Sequence, residues 1–331
     1  MTMPNFSYVR PKSLKEAIQQ ISSKGARIHA GGTDLLGCLH DDVFQVKKVV
    51  SLSRLDELRG IRQTKDGGLR IGALTPLVDI VNSKPVKEHY PALAQAASEV
   101  ASPQLRNQGT LGGNICQKPR CWYYRGEFHC LRKGGSKCFA ENGENHYHCI
   151  FGSGHVCYIV HPSDTAPALM ALEASVRIAG PKSTKLAPLE AFYVLPGSNV
   201  EKETALEPNE IVTEILLPPP GKGDLRSGYR KVRARNSWDF ALAGIAFVLE
   251  FKVDRIEKAR VVLSGAAPIP WRSKPVEDAL VAKRLNAGTV ERASEVVVKD
   301  AEPLEHNGYK IPLFRGLIEE ELTKIAESFK T

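Results

Sequence analysis

Two diglycine bends, far apart in the chain, constrain the fold more than any other feature. The first, Ala30-Gly31-Gly32-Thr33-Asp34-Leu35, follows a strand-like segment at Arg27 to Ala30 and leads into a more apolar stretch. The second, Asn107-Gln108-Gly109-Thr110-Leu111-Gly112-Gly113-Asn114-Ile115, comes after a helical pattern closed by Pro103. A turn without Cβ atoms lets backbone N–H groups converge in a concavity, and such concavities bind phosphate and pyrophosphate. Thr33 and Thr110 add hydroxyl donors and Asn114 an amide, while Asp34 can accept from a ligand hydroxyl or tie down its loop. Neither bend is a Rossmann or P-loop fingerprint. Each taken singly also reads as a tight turn between regular elements, a reading that weakens when the matching Gly-Gly centres are taken together.

The chain has 331 residues, more than one hydrophobic core comfortably serves, so two or three subdomains are expected. Apolar residues at i, i+3 and i+4 predict helices over Ser13 to Ser23, Pro76 to Asn82, Pro91 to Val100 and Thr165 to Leu172, and again over Thr289 to Ala301 and Gly316 to Phe329. Strands are expected at Val49 to Leu52, Leu69 to Gly72, Tyr158 to Val160, Ser175 to Ile178, Phe240 to Val253 and Arg255 to Ser264. Pro218-Pro219-Pro220-Gly221 is the best boundary, because three residues without amide donors continue neither helix nor sheet. Net charge is +8, but acidic residues are spread along the whole chain, which argues against a nucleic-acid-binding face. No apolar run approaches the length of a membrane span, and Met1 to Pro11 holds no apolar signal core, so a cytoplasmic protein is expected.

Cysteine placement is the second constraint. Cys38 stands alone, whereas Cys116, Cys121, Cys130, Cys138, Cys149 and Cys157 crowd into one window. A reducing compartment argues against a disulfide framework and for a metal site. Cys116 to Gly154 has no sustained period of either kind, and a loop of that length needs a functional reason or a stapling ion. Four thiolates satisfy an iron–sulfur cluster, whose negative charge Arg120, Arg132 and Lys133 would offset. Zinc competes, with His129, His146, His148 and His155 widening its choice of ligands, although the spacing is unlike the Cys-x-x-Cys of zinc ribbons. A metal-free loop is the third reading. Cys38 and Cys116 read as small buried residues, and Trp122, Tyr123 and Tyr124 as packing.

The two bends resemble the paired FAD-binding loops of molybdenum hydroxylase flavoprotein subunits, a family that includes the medium subunits of carbon monoxide dehydrogenase and nicotinate dehydrogenase and the flavin domain of xanthine dehydrogenase. The resemblance covers nearly the whole chain. It implies an α+β architecture: a two-part FAD-binding fold of the PCMH type over residues 1–220, interrupted by a cysteine-rich insert at 116–157, then a C-terminal domain of the CO dehydrogenase flavoprotein type at 224–331, an antiparallel sheet covered by helices. It implies FAD contacts at Ile28, His29, Ala30, Gly31, Gly32, Thr33, Asp34 and Leu35, at Val100, and at Asn107, Gly109, Thr110, Gly112, Gly113 and Asn114. His161-Pro162-Ser163-Asp164-Thr165-Ala166-Pro167-Ala168-Leu169 is similar to the segment in which an Asp meets the flavin or ribityl region, which points to Asp164. Val212 and Lys231 match later contacts. A cation near the pyrimidine end would stabilise the anionic reduced ring; otherwise Lys231 belongs to a solvated basic strand.

The insert resembles that of the flavin subunit of 4-hydroxybenzoyl-CoA reductase, in which four cysteines bind a 4Fe–4S cluster. On that likeness Cys121, Cys130 and Cys138 match the first three ligands and Cys157 the fourth, with Cys149, inside an additional stretch from Gly143 to Gly154, as the alternative. The resemblance further implies a complex. A large subunit carries the molybdenum cofactor and a small one the 2Fe–2S clusters, while this subunit passes electrons through FAD to or from an external carrier such as ferredoxin, NAD or a quinone. No catalytic residue is then expected on this chain. Two rival readings remain open: a self-contained FAD-linked oxidoreductase of the alcohol oxidase type, for which no substrate-cap domain is legible, and a non-catalytic zinc-bearing interaction subunit.

Overall fold

The computed structural model describes residues 3–221 and 223–329. Met1, Thr2, Lys222, Lys330 and Thr331, among them the outer ends of the two expected domains, lie outside the described residues. At the N-terminus Ser13 accepts from the Glu16 N–H at 3.2 Å, and the Glu16 carboxylate accepts from the Lys12 N–H at 2.8 Å. These bonds satisfy amide donors that no preceding turn can serve and so start a helix at Leu14–Ile21. Its Ala17, Ile18 and Ile21 are buried in one cluster with Val50 of a small parallel sheet. That sheet comprises β1 (Ser7–Val9), β2 (Ala26–His29) and β3 (Lys48–Ser51) in the order β1-β3-β2.

A second, antiparallel sheet contains β4 (Ile61–Gln63), β5 (Leu69–Gly72), β6 (Ser175–Ala179), β7 (Thr184–Pro188) and β8 (Ile211–Leu217) in the order β4-β5-β8-β6-β7. The last strand in sequence thus takes the centre, and Ile211 to Ile215 are all buried. Glu214 is tolerated there because Arg70 and Arg177, on the flanking strands, both pair with it. Helices Leu77–Asn82, Pro91–Ser98, Leu111–Ile115 and Thr165–Ala171 close the largest core with this sheet.

Beyond Pro218 to Gly221 the chain enters a third sheet, β9 (Asp224–Val232), β10 (Ala243–Lys252), β11 (Arg255–Ser264) and β12 (Trp271–Arg272), antiparallel in the order β12-β11-β10-β9. On β10, Ile245, Phe247, Leu249 and Phe251 share a core with helices Lys274–Leu280, Ala287–Val296 and Lys310–Glu327. Ala246, which points the other way, joins Tyr229 and Val262 in the core under the second sheet. The third sheet therefore contributes buried residues from both faces, and its β9 meets the segment that begins helix Thr165–Ala171.

Several local expectations change. Tyr158 to Val160 forms no strand, because the Tyr158 carbonyl accepts from Cys149 and the His161 N–H donates to Ala267 instead of continuing one ladder. The second glycine-rich segment is not all loop: Thr110 caps a helical turn at Leu111–Ile115 by accepting from Gly113. The insert carries a short helix, Trp122–Arg125, and is otherwise irregular apart from a 3-10 turn at Leu131–Lys133. The last helix begins at Lys310, earlier than its apolar spacing suggests; Pro312 lies in the first turn, where a missing N–H costs nothing. Among the described residues no helix is long and apolar enough to cross a membrane.

Candidate functional site

The two bends touch. An added Cβ on Gly31 would lie 1.9 Å from the Gln108 carbonyl oxygen and 3.2 Å from Gly109 Cα, so glycine is required for the loops to abut. Gly32 has φ +78°, the left-handed region that glycine enters without strain, and the His29 ring lies beside it. Across the junction, a Cβ on Gly112 would stand 2.8 Å from Ala73 Cβ, and the Ala73 N–H donates to Thr213. The central strand β8 therefore backs the second bend, and Val212 beside it is buried in the main core. Ile28 and His29 end β2, while Ala30 and Thr33 flank the first diglycine. Leu35 opens the helix Leu35–His40. The Val100 carbonyl accepts from Arg106 at 2.7 Å, and Asn107 is exposed on the helix Pro103–Gln108.

The bends are also tied to the rest of the site. Asp34 accepts from the Lys118 N–H at 2.8 Å and pairs with Arg125 at 2.7 Å and Arg120 at 3.1 Å, which fixes the first bend to the start of the insert. Asn114 Oδ1 accepts from Ser163 Oγ and Thr165 Oγ1, both at 2.6 Å, and this links the second bend to the segment containing Asp164. Asp164 in turn accepts from Lys231 Nζ at 2.8 Å and from the Tyr229 hydroxyl at 2.7 Å. Lys231 also donates to the Glu99 carbonyl at 3.1 Å. Burial pushes the Asp164 carboxyl up, opposed by the ammonium of Lys231 and by both hydrogen bonds. Lys231 is thus no solvated strand residue: its side chain is wholly buried.

In the insert, Cys121, Cys130, Cys138 and Cys157 line one pocket, together with Tyr123, Tyr124, Phe139 and Ile159. Burial raises the Cys121 thiol to about 11. Cys157 donates to Cys138, which draws the Cys138 thiol down and raises that of Cys157. Cys149 is not in the pocket lining; it is wholly buried with Ala140 and Tyr158, with Cys138 packed against the same cluster, and its thiol is pushed up to about 12 by burial. His148 is the histidine at the pocket wall, with Nε2 3.2 Å from Cys121 Sγ. Burial, then Lys310, lowers its imidazole to about 4. His146 stacks on His306, and His155 lies near Glu302. Among the described residues no three His, Cys, Asp or Glu side chains are grouped so as to hold a single metal ion.

Sequence reasoning missed the counter-charges. Arg132 is buried at the thiol pocket and pairs with Glu203, which also binds Lys118. Burial alone would raise the Glu203 carboxyl, yet Lys118 and Arg132 hold it below its ordinary value. The basic residues read as balancing a metal group are thus already paired in part, Arg120 with Asp34 and Arg132 with Glu203. Also unforeseen is a second pocket sharing Cys121 and His148 with the first, walled by Trp122 and Tyr147 of the insert and by His161, Phe240 and Ser264. Glu203, Tyr229 and Glu99 carry no local motif, and only the fold brings them to the site.

Among the described residues the chain is mixed α/β with three sheets, two abutting glycine bends and a buried Asp–Lys pair, and comparison with known proteins places it in the class of FAD-binding oxidoreductase subunits. The family model for the FAD binding domain in molybdopterin dehydrogenase matches residues 4–220, and that for the CO dehydrogenase flavoprotein C-terminal domain matches residues 227–325. The chain belongs to the FAD-binding medium subunits of the molybdenum hydroxylase and xanthine dehydrogenase family. It is 34% identical over 315 residues to the aldehyde oxidoreductase FAD-binding subunit PaoB of Escherichia coli (strain K12), covering 94% of this chain and 95% of that one. It is 29% identical to the carbon monoxide dehydrogenase medium chain of Hydrogenophaga pseudoflava, covering 92% and 90%. A solved carbon monoxide dehydrogenase from Hydrogenophaga pseudoflava superimposes with TM-score 0.77 at 27% identity, covering 97% of this chain and 96% of that one.

Proposed function

We propose that this chain is the electron-transfer subunit of a molybdenum hydroxylase-type complex, carrying FAD at the junction of the two bends and a 4Fe–4S cluster in the thiol pocket. The observation that carries the flavin reading is the close approach of Gly31 to Gln108, which a single Cβ would abolish. In this reading the glycine bends would hold the diphosphate, and the buried Asp164–Lys231 pair would supply a fixed dipole to the flavin site. When bound, FAD exchanges electrons singly or in pairs and a four-iron cluster exchanges them singly.

For the cluster, the donor set fits: four thiols around one pocket, walled largely by aromatic and aliphatic side chains together with Arg132 and His148. Cys157 lines that pocket and Cys149 does not, which favours Cys157 as fourth ligand. A single zinc ion would need its sulfurs about 3.8 Å apart on bonds of about 2.3 Å, and no such grouping is present among the described residues. The partners in this reading are a large molybdenum-cofactor subunit, a small 2Fe–2S subunit and an external carrier, ferredoxin, NAD or quinone, with substrate chosen on another chain. The names of relatives as subunits and medium chains support the assembly.

The test is chemical analysis of the purified complex. FAD released on acid denaturation, together with iron and acid-labile sulfide, is the expected result. Cys157→Ser should lose the broad iron–sulfur absorbance and keep the flavin, whereas Cys149→Ser should keep both. A colourless complex that releases no flavin defeats the proposal, and zinc in place of iron defeats the cluster.

A further inference from the structure

The stretch from Gly143 to Gly154 lengthens the cysteine loop, and its path is set from outside the loop. Asn145 Oδ1 accepts from the His306 N–H at 2.9 Å, and the Tyr309 hydroxyl donates to the His146 carbonyl at 2.9 Å. Asn307 Nδ2 donates to the carbonyls of His148 at 3.2 Å and Cys149 at 3.1 Å. The Glu302 N–H donates to the Ile150 carbonyl at 2.7 Å. Five hydrogen bonds from one short segment of the C-terminal domain, four of them to backbone carbonyls, thus hold this stretch in place. What the stretch delivers to the thiol pocket is not a fifth thiol, because Cys149 does not line it and is buried with Ala140 and Tyr158 behind Cys138.

It delivers His148. The ring is 3% exposed, lies 6.1 Å from the centroids of Trp122 and Tyr123, and holds Nε2 3.2 Å from Cys121 Sγ. Nδ1 has no hydrogen-bond partner among the described residues. We propose that His148 is a positioning residue for the group held by the four thiols, donating its Nε2–H to the Cys121 sulfur. This rests on the cluster reading above. A hydrogen bond to a ligand sulfur withdraws negative charge, and the reduced cluster carries one negative charge more than the oxidised one, so the donor favours reduction. Asn307, by fixing the His148 carbonyl, sets where the ring stands.

The test uses the purified complex with His148→Phe, which keeps a planar ring without the donor, and His148→Gln, which keeps an N–H. Iron and FAD contents are measured, and the iron–sulfur signal is titrated against potential by electron paramagnetic resonance. Expected is an iron-replete Phe variant whose reduced-to-oxidised ratio at fixed potential falls about tenfold, about 59 mV for a one-electron couple, with the Gln variant close to wild type. An iron-replete Phe variant with unchanged potential overturns the inference and leaves the cluster reading intact. Iron loss in both variants makes His148 a ligand and overturns it too. If the Phe variant does not assemble, pulsed resonance on the wild type decides: a weak histidine nitrogen coupling is expected, and its absence overturns the proposal. Wild-type protein without iron defeats the cluster reading itself.

Discussion

Replacing Lys231 by Met strands the Asp164 carboxylate. Lys231 has no exposed side-chain surface and Asp164 has 5%, so no water replaces the lost ammonium. Removing one partner of a buried pair commonly costs about 3–5 kcal/mol. Here the loss has a ceiling, since the carboxyl can escape by taking up a proton. From its ordinary pKa of 3.8, protonation costs about 4 kcal/mol at pH 7 and about 2 kcal/mol at pH 5. The expected outcome is therefore a destabilisation of about 3–4 kcal/mol at pH 7 that roughly halves at pH 5. That is a large share of the roughly 5–15 kcal/mol that holds a folded domain together. The double variant Lys231→Met with Asp164→Leu removes the stranded charge and should recover most of the loss. Urea unfolding followed by near-ultraviolet circular dichroism, at one fixed FAD concentration so that ligand linkage is constant, measures all three. A single variant within about 1 kcal/mol of wild type, or a loss that neither low pH nor the second substitution relieves, refutes the reasoning.

Gly31→Ala places a Cβ 1.9 Å from the Gln108 carbonyl oxygen; the bends must part, at about 1–3 kcal/mol, and FAD affinity measured by flavin fluorescence should fall at least tenfold. Gly37→Ala is the control, since its Cβ meets nothing closer than Arg125 at 3.8 Å, and affinity there should hold. Lys310 is wholly buried, donates to the Gly265 carbonyl at 2.7 Å and is pushed by burial from 10.5 to about 8. Because its folded pKa lies below the unfolded one, the penalty is full below about pH 8 and is relieved as pH rises towards 10.5, a gain of about 3 kcal/mol. Wild type should gain that stability over this window relative to Lys310→Met, and parallel urea midpoints would show that the ammonium carries no such penalty.

Much of the architecture is legible from local rules. Glycine at a close approach is a local steric demand, so Gly31-Gly32 and Gly112-Gly113 stand out without any knowledge of what they approach. The apolar spacing of Leu14 to Ile21 and the strand pattern of Arg255 to Ser264 mark elements that form as expected, and the α+β class with a helix-covered C-terminal sheet follows from such patterns and from the family likeness. Local rules fail where partners decide. Tyr158 to Val160 has a strand's composition but meets no neighbouring strand to complete a ladder. Lys231 in a run of basic residues is indistinguishable from a solvated cation until β9 packs against Asp164, 67 residues away. Cys149 and Cys157 are equivalent as letters, and only the fold turns one into apolar packing and the other into the thiol pocket. Sequence by itself determined which residue types stand at the bends and in the insert, because backbone freedom and thiol chemistry belong to single residues. Tertiary structure alone decided which charges are paired and which thiols converge, because burial and electrostatics depend on neighbours that the chain brings together from distant places.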